Sequence, residues 1–283
     1  MRKTYIFIAI LLICPILLSA SVFQFIAPGS WTDIDNWENG IYPGLTTQVS
    51  DTIIINSNCS ISDKLILNGY IHVTLGNSVT IDNEATFNKA LLLEGNLTNN
   101  GTTTFNALTL VFGICNNAGI MELNSTMVVD LELINSSQFT ILTGAKLENY
   151  ATTDNLGDFV LQANATIKNF AEFTNSSQLT INGNLEMPSI SSAILSNSGT
   201  IDLSGLATLE ATTINDVSGE VFILIDGSMI IPDEATMSNL SNITVEGTLN
   251  ISDQSINTLG DLIINDGGQV NYLTTIPQII PQF

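Results

Sequence analysis

Asp202 and Asp226 are the carboxylates whose spacing comes nearest to a catalytic arrangement. Separated by roughly one repeat, they could in principle approach one another as the acid and the base or nucleophile of a glycoside hydrolase. Alternation within TIDLSG (200–205) turns Asp202 outward, and Asp226 precedes a corner glycine, Gly227, so ordinary solvated carboxylates are the expected outcome. A lyase of the pectate type would need Arg or Lys to hold or deprotonate an acidic sugar. Beyond residue 20 the chain has no Arg and only Lys64, Lys89, Lys146 and Lys168. His72 is the sole histidine, and alternation in YIHVTLG gives it the opposite facing to Ile71 and Val73. With no second Cys close to Cys59 or Cys115, it does not complete a zinc site. No motif for a cofactor or a metal is read. The nonapeptide of calcium-loaded solenoids is absent, and the Thr-x-Thr of an ice-binding face is approached only at Thr102 to Thr104. The expectation is a non-catalytic protein, with a glycoside hydrolase as the residual alternative.

The elements that would position these residues come from a repeat. A six-residue frame of alternating apolar and polar side chains recurs as SVTIDN (78–83), TTTFNA (102–107), IMELNS (120–125), QFTILT (138–143), DFVLQA (158–163), QLTING (178–183), TIDLSG (200–205), FILIDG (222–227), NITVEG (242–247) and DLIIND (261–266), with DTIIIN (51–56) as a first copy. From 78 onward successive frames start 18 to 24 residues apart, and the phrase NSSQ-Φ-T-I occurs at Asn135 and again forty residues later at Asn175. A second apolar patch follows most frames, as in Leu91 to Leu93 or Leu249 to Ile251. No twenty-residue coil can bury its apolar side alone, whereas stacked coils make a continuous core and pair their strands in register.

The predicted fold is therefore all-β: a right-handed parallel β-helix, or β-solenoid, of about 11 coils with a period of about 20 residues, its handedness following from the crossover rule. At about 4.8 Å per layer the rod is on the order of 50 Å long. Phe139 and Ile141 should lie under Leu179 and Ile181 with one coil between. Asn83, Gly183, Gly205, Gly227 and Gly247 are expected to supply positive φ at the corners, and stacked Asn side chains to hydrogen-bond along the rod. Cys59 and Cys115 fall nearly three coils apart, beyond the Cα separation of about 7 Å that a disulfide spans, and should remain free.

Ahead of the first coil, Trp31, Asn36, Trp37, Gly40, Pro43 and Gly44 spell W-x4-N-W-x2-G-x2-P-G, and both tryptophans of the chain sit there. This segment resembles the N-terminal part of secreted bacterial surface proteins, autotransporter-like and gliding-bacterium types, in which such a phrase precedes a parallel β-helix. The resemblance covers roughly residues 28–56 and the style of the repeat, and implies an exported β-helix without naming a ligand. The chain departs from those families in ending without a recognisable barrel, sorting tail or sugar-binding module. Physically, large aromatics suit the exposed end of a solenoid, where they cover bare core. The alternative is that Trp31 and Trp37 form a platform for stacking a ligand.

Arg2 and Lys3, the apolar run from Tyr5 to Leu18 and the small residues Ser19 to Ser21 read as a secretory signal peptide. The run is shorter than the ~20 residues that span a bilayer, and no later stretch is long enough for a transmembrane span. The division expected is a signal peptide at 1–20, a cap segment at 21–48, the β-helix at 49–272 and a C-terminal tail at 273–283. After the leader, four lysines face 27 carboxylates, which repels nucleic acid and acidic polymers alike. Ten Asn-x-Ser/Thr sequons, at Asn58, Asn96, Asn100, Asn124, Asn135, Asn164, Asn175, Asn239, Asn242 and Asn250, could accept glycans in a suitable secretory pathway. Together these features predict a secreted or cell-surface, monomeric structural or adhesive protein whose partner is a surface or matrix component, polysaccharide included. A carbohydrate-binding or carbohydrate-cleaving β-helix is the alternative.

Overall fold

The computed structural model describes residues 21–190, 193–233, 235–252, 256–258 and 260–273. The signal peptide expected at 1–20 and the tail from residue 274 onward lie outside them. The described chain is a β-solenoid of about eleven turns, with three sheets of 13, 12 and 11 strands whose every pairing is parallel. Each coil supplies one strand to each sheet. Glu132–Asn135, Gln138–Ile141 and Lys146–Asn149 pair with Thr152–Asn155, Asp158–Leu161 and Thr166–Asn169 of the next coil.

The four-residue strand explains the cross-section. Its second and fourth side chains point inward and its first and third outward, a pattern repeated in almost every strand. Phe139, Phe159 and Leu179 form one inward column and Ile141, Leu161 and Ile181 another, all at most 1% exposed. The expected stacking with one coil between is what the register shows. Strands of this length fit corners of two residues, and glycine serves them by its missing side chain. A Cβ on Gly113 would stand 1.7 Å from the carbonyl oxygen of Gly95, and one on Gly205 would stand 2.1 Å from that of Gly183. This corrects the expectation of positive φ at Asn83, Gly183, Gly205, Gly227 and Gly247. After residue 50 the left-handed residues among those described lie instead in four-residue corners, at Gly76, Gly144, Asn164 and Gly267.

The second sheet holds a feature of another kind. Its inward fourth position is Asn in eight successive coils: Asn99, Asn117, Asn135, Asn155, Asn175, Asn197, Asn215 and Asn239, all at most 1% exposed. Each Nδ2 donates to the Oδ1 of the next Asn at 2.7 to 2.8 Å, seven bonds in one line. The remaining N–H of most of them goes to a main-chain carbonyl at the start of a third-sheet strand, such as that of Gln138 or Thr200. Buried amides are costly unless satisfied, and here every coil satisfies the one before it. The ladder predicted for Asn exists twice: inside the core, and in a shorter line at the corners after the third sheet, where Asn124 donates to Asn106, Asn106 to Asn88 and Asn88 to Asn68 at 2.8 to 3.2 Å.

The cap is continuous with the solenoid. Val22–Phe25 and Gly29–Ser30 already pair with Thr52–Ile55 and Cys59–Ser60, so the sheets begin ahead of residue 49. Two short 3-10 turns follow, at Ile34–Asn36 and Glu38–Gly40.

Candidate functional site

Trp31 and Trp37 are 2% and 1% exposed. Their rings meet edge to face at 4.8 Å, Phe25 packs on Trp37 at 5.1 Å, and both indole N–H groups donate inward, Trp37 to the Trp31 carbonyl at 2.7 Å and Trp31 to the Gly44 carbonyl at 3.0 Å. Neither ring face is open to a ligand. The stacking platform is thereby replaced by a structural cap.

The ten sequons separate by position. Asn135, Asn175 and Asn239 belong to the buried ladder, where a glycan on Nδ2 would remove the N–H groups that the ladder uses. Those three are not acceptors in this fold. Asn58, Asn96, Asn100, Asn124 and Asn164 are exposed, and Asn242 and Asn250 are half-buried.

Asp202 faces outward from Thr200–Leu203 and accepts a 2.8 Å hydrogen bond from Gln178 Nε2, while Asp226 sits on the exposed corner that follows Glu220–Ile223. His72 also faces outward, with Nε2 2.8 Å from Glu94 Oε2. Beside it the Tyr70 hydroxyl is buried without a hydrogen-bond partner, and burial, then the Glu94 charge, raise its pKa. Cys59 and Cys115 are free and buried in one column, separated by Val79 and Leu97, and burial pushes each thiol up to about 12. The layer count that kept them apart is correct.

A groove of about 340 Å³ lies on the outer face of the first sheet, across Thr166–Asn169, Asn184–Met187 and Leu206–Leu209. Register places Lys168, Glu186 and Thr208 in one outward column and Asn184 and Leu206 in the column beside it. Lys168 Nζ is 3.5 Å from Glu186 Oε2 and 5.6 Å from the centre of the Phe170 ring. Phe170 in turn stacks on Tyr150 at 4.5 Å with the rings nearly parallel, so that pair spends a face of each ring on the other. Pro188 forms the rim, and between Met187 and Ile194 six residues separate two strands where two to four separate the other described strands after residue 50. Glu210 Oε2 accepts from the backbone N–H of Ser189 at 3.4 Å, tying this corner to the next coil. Sequence reading passed over the groove because its residues come from three coils. The available signal was the extra length between Met187 and Ile194.

Among the described residues no helix is long and apolar enough to cross a membrane. Comparison with protein-family models, with curated proteins and with solved structures gives no match for this chain.

Proposed function

We propose that the chain is an exported, non-catalytic rod of structural or adhesive type, facing a cell-surface or matrix component from three long sheets. The observation that carries this reading is the strict register of outward side chains. In each sheet the first and third positions of most four-residue strands form outward columns that repeat once per coil, as in Thr86, Thr104 and Glu122 on the third sheet. Such columns offer many weak, identically spaced contacts whose joint effect exceeds any one of them. The leader-like start, the acidic balance of the chain and the W-x4-N-W segment, similar to that of exported bacterial β-helix proteins, support an extracellular setting. Mutual repulsion of so acidic a chain favours a monomer.

The carbohydrate-binding alternative is favoured by one specific observation, the mixed polar and apolar groove beside Pro188. An array of matrix proteins and glycans, read alongside an assay for new reducing ends, tests both. Retention without turnover is the expected result, and release of reducing ends would overturn the non-catalytic reading.

A further inference from the structure

The geometry points to the groove beside Pro188 as a binding site for an uncharged saccharide, held by Asn184, Thr208, Glu186 and Glu210 against Leu206 and Pro188. This rests on the carbohydrate-binding alternative above and names where and what it binds. Three observations converge. The groove sits beside the longest interval between described strands after residue 50, from Met187 to Ile194, and insertions in repeat folds map to loops that commonly form the binding face. Its volume of about 340 Å³ lies at the small end of ligand sites, which begin at roughly 300 Å³. Its lining pairs apolar surface with convergent polar groups: Leu206 is 36% exposed on the floor, Pro188 is half-buried at the rim, and the exposed Asn184 and Glu210 and the half-buried Glu186 and Thr208 stand around them.

A pyranose ring presents that same combination, hydroxyls at its edge and C–H groups on its face. Carboxylates accept from paired hydroxyls, and the Asn amide both donates and accepts. The charges choose among sugars. Two carboxylates stand against one lysine, and Lys168 already lies beside Glu186, so an acidic sugar would meet net repulsion while a neutral one loses nothing.

The test uses the full chain with Glu210→Gln, Asn184→Ala and, as a control outward on the second sheet, Asn116→Ala, each first matched to the parent by melting temperature. The probes are neutral oligosaccharides and uronate-containing oligosaccharides, read on an array and by isothermal titration. Binding of a neutral probe that falls at least tenfold in Glu210→Gln and in Asn184→Ala but holds in Asn116→Ala is the expected result. Neutral binding untouched by the groove variants would overturn the site and leave the carbohydrate-binding reading standing. Preference for uronates would overturn the assignment of an uncharged ligand. Binding of no probe would overturn both this site and the alternative it rests on, leaving the structural rod.

Discussion

At the end that begins with Val22, Phe25, Trp31 and Trp37 close over the core, and Thr46 bridges to Ile66 so that the first strand of the third sheet is itself covered. At the other end, Leu262–Ile264 and Gln269–Tyr272 carry the same repeat, yet Leu262, Ile264 and Tyr272 are 38%, 53% and 65% exposed. The difference shows what the repeat can do and what it cannot. A coil in the middle receives its burial from two neighbours, and its sequence need only alternate. A terminal coil has one neighbour, so closing it takes residues of another kind, and both tryptophans of the chain are at one end. Residues 274–283, expected to fold over the last coil, lie outside the described residues.

If the rod is anchored at its closed end, an interruption in the middle should separate the two halves. Ile181→Asp puts a carboxylate at a site 1% exposed between Leu161 and Leu203, and an unpaired buried charge should cost about 4 kcal/mol or more. Because coils couple mainly to their neighbours, urea unfolding should become biphasic, the half nearer Trp37 melting last. A single transition at the parental midpoint would refute the register.

The ends can also be compared directly. Trp37→Ala should destabilise by about 3 to 5 kcal/mol, as for other buried aromatics. Leu262→Ala, already partly in water, should cost less than about 1 kcal/mol. Equal shifts in the urea midpoint would show that the cap does not dominate.

Alkaline pH should act on the closed half, which holds Cys59 and Cys115. Each folded-state pKa is raised from 9.0 to about 12, so the folded chain keeps protons that the unfolded chain releases. This stabilisation is complete below pH 9 and is lost between about pH 9 and 12, at about 1.4 kcal/mol per pH unit for each thiol. Replacing Cys59 and Cys115 by valine should flatten the decline in stability measured by urea titration, and in the parent neither of these two thiols should be alkylated before unfolding.

The smallest effect has the opposite sign. Thr153 and Thr213 point inward with hydroxyls that are buried and unpaired. Thr153→Val and Thr213→Val should each stabilise by about 1 kcal/mol. Loss of stability in both would mean that the hydroxyls have partners in solution.

Much of this architecture could be read from residues. The third-sheet strands, such as Gln138–Ile141 and Gln178–Ile181, and first-sheet strands such as Thr248–Ile251 declare themselves by apolar alternation. The frame at 78–83 belongs to the second sheet, however, and the one at 222–227 starts two residues late, because strands of all three sheets share one burial pattern. Most of the second sheet escaped notice. ICNN, TTDN and TMSN look polar, since the residue that fills their core position is an amide. The recurrence of Asn from 99 to 239 was the readable sign, and it needed the idea that a buried column can be hydrogen-bonded. The groove was less legible still, since adjacency between Lys168, Asn184 and Glu210 depends on knowing which residues share a corner.

The asparagine line also determines how the rod would respond to force. Pulled along the axis from the end that holds Gln269–Tyr272, the chain would release one coil at a time, each detachment breaking strand pairing on three sides and, between Asn239 and Asn99, one amide link at the core. Every rupture frees about twenty residues, or roughly 70 Å of contour, so the extension trace would be a sawtooth of nearly even teeth. Such a molecule yields under load by paying out length and keeps the coils nearest Trp31 and Trp37 for last.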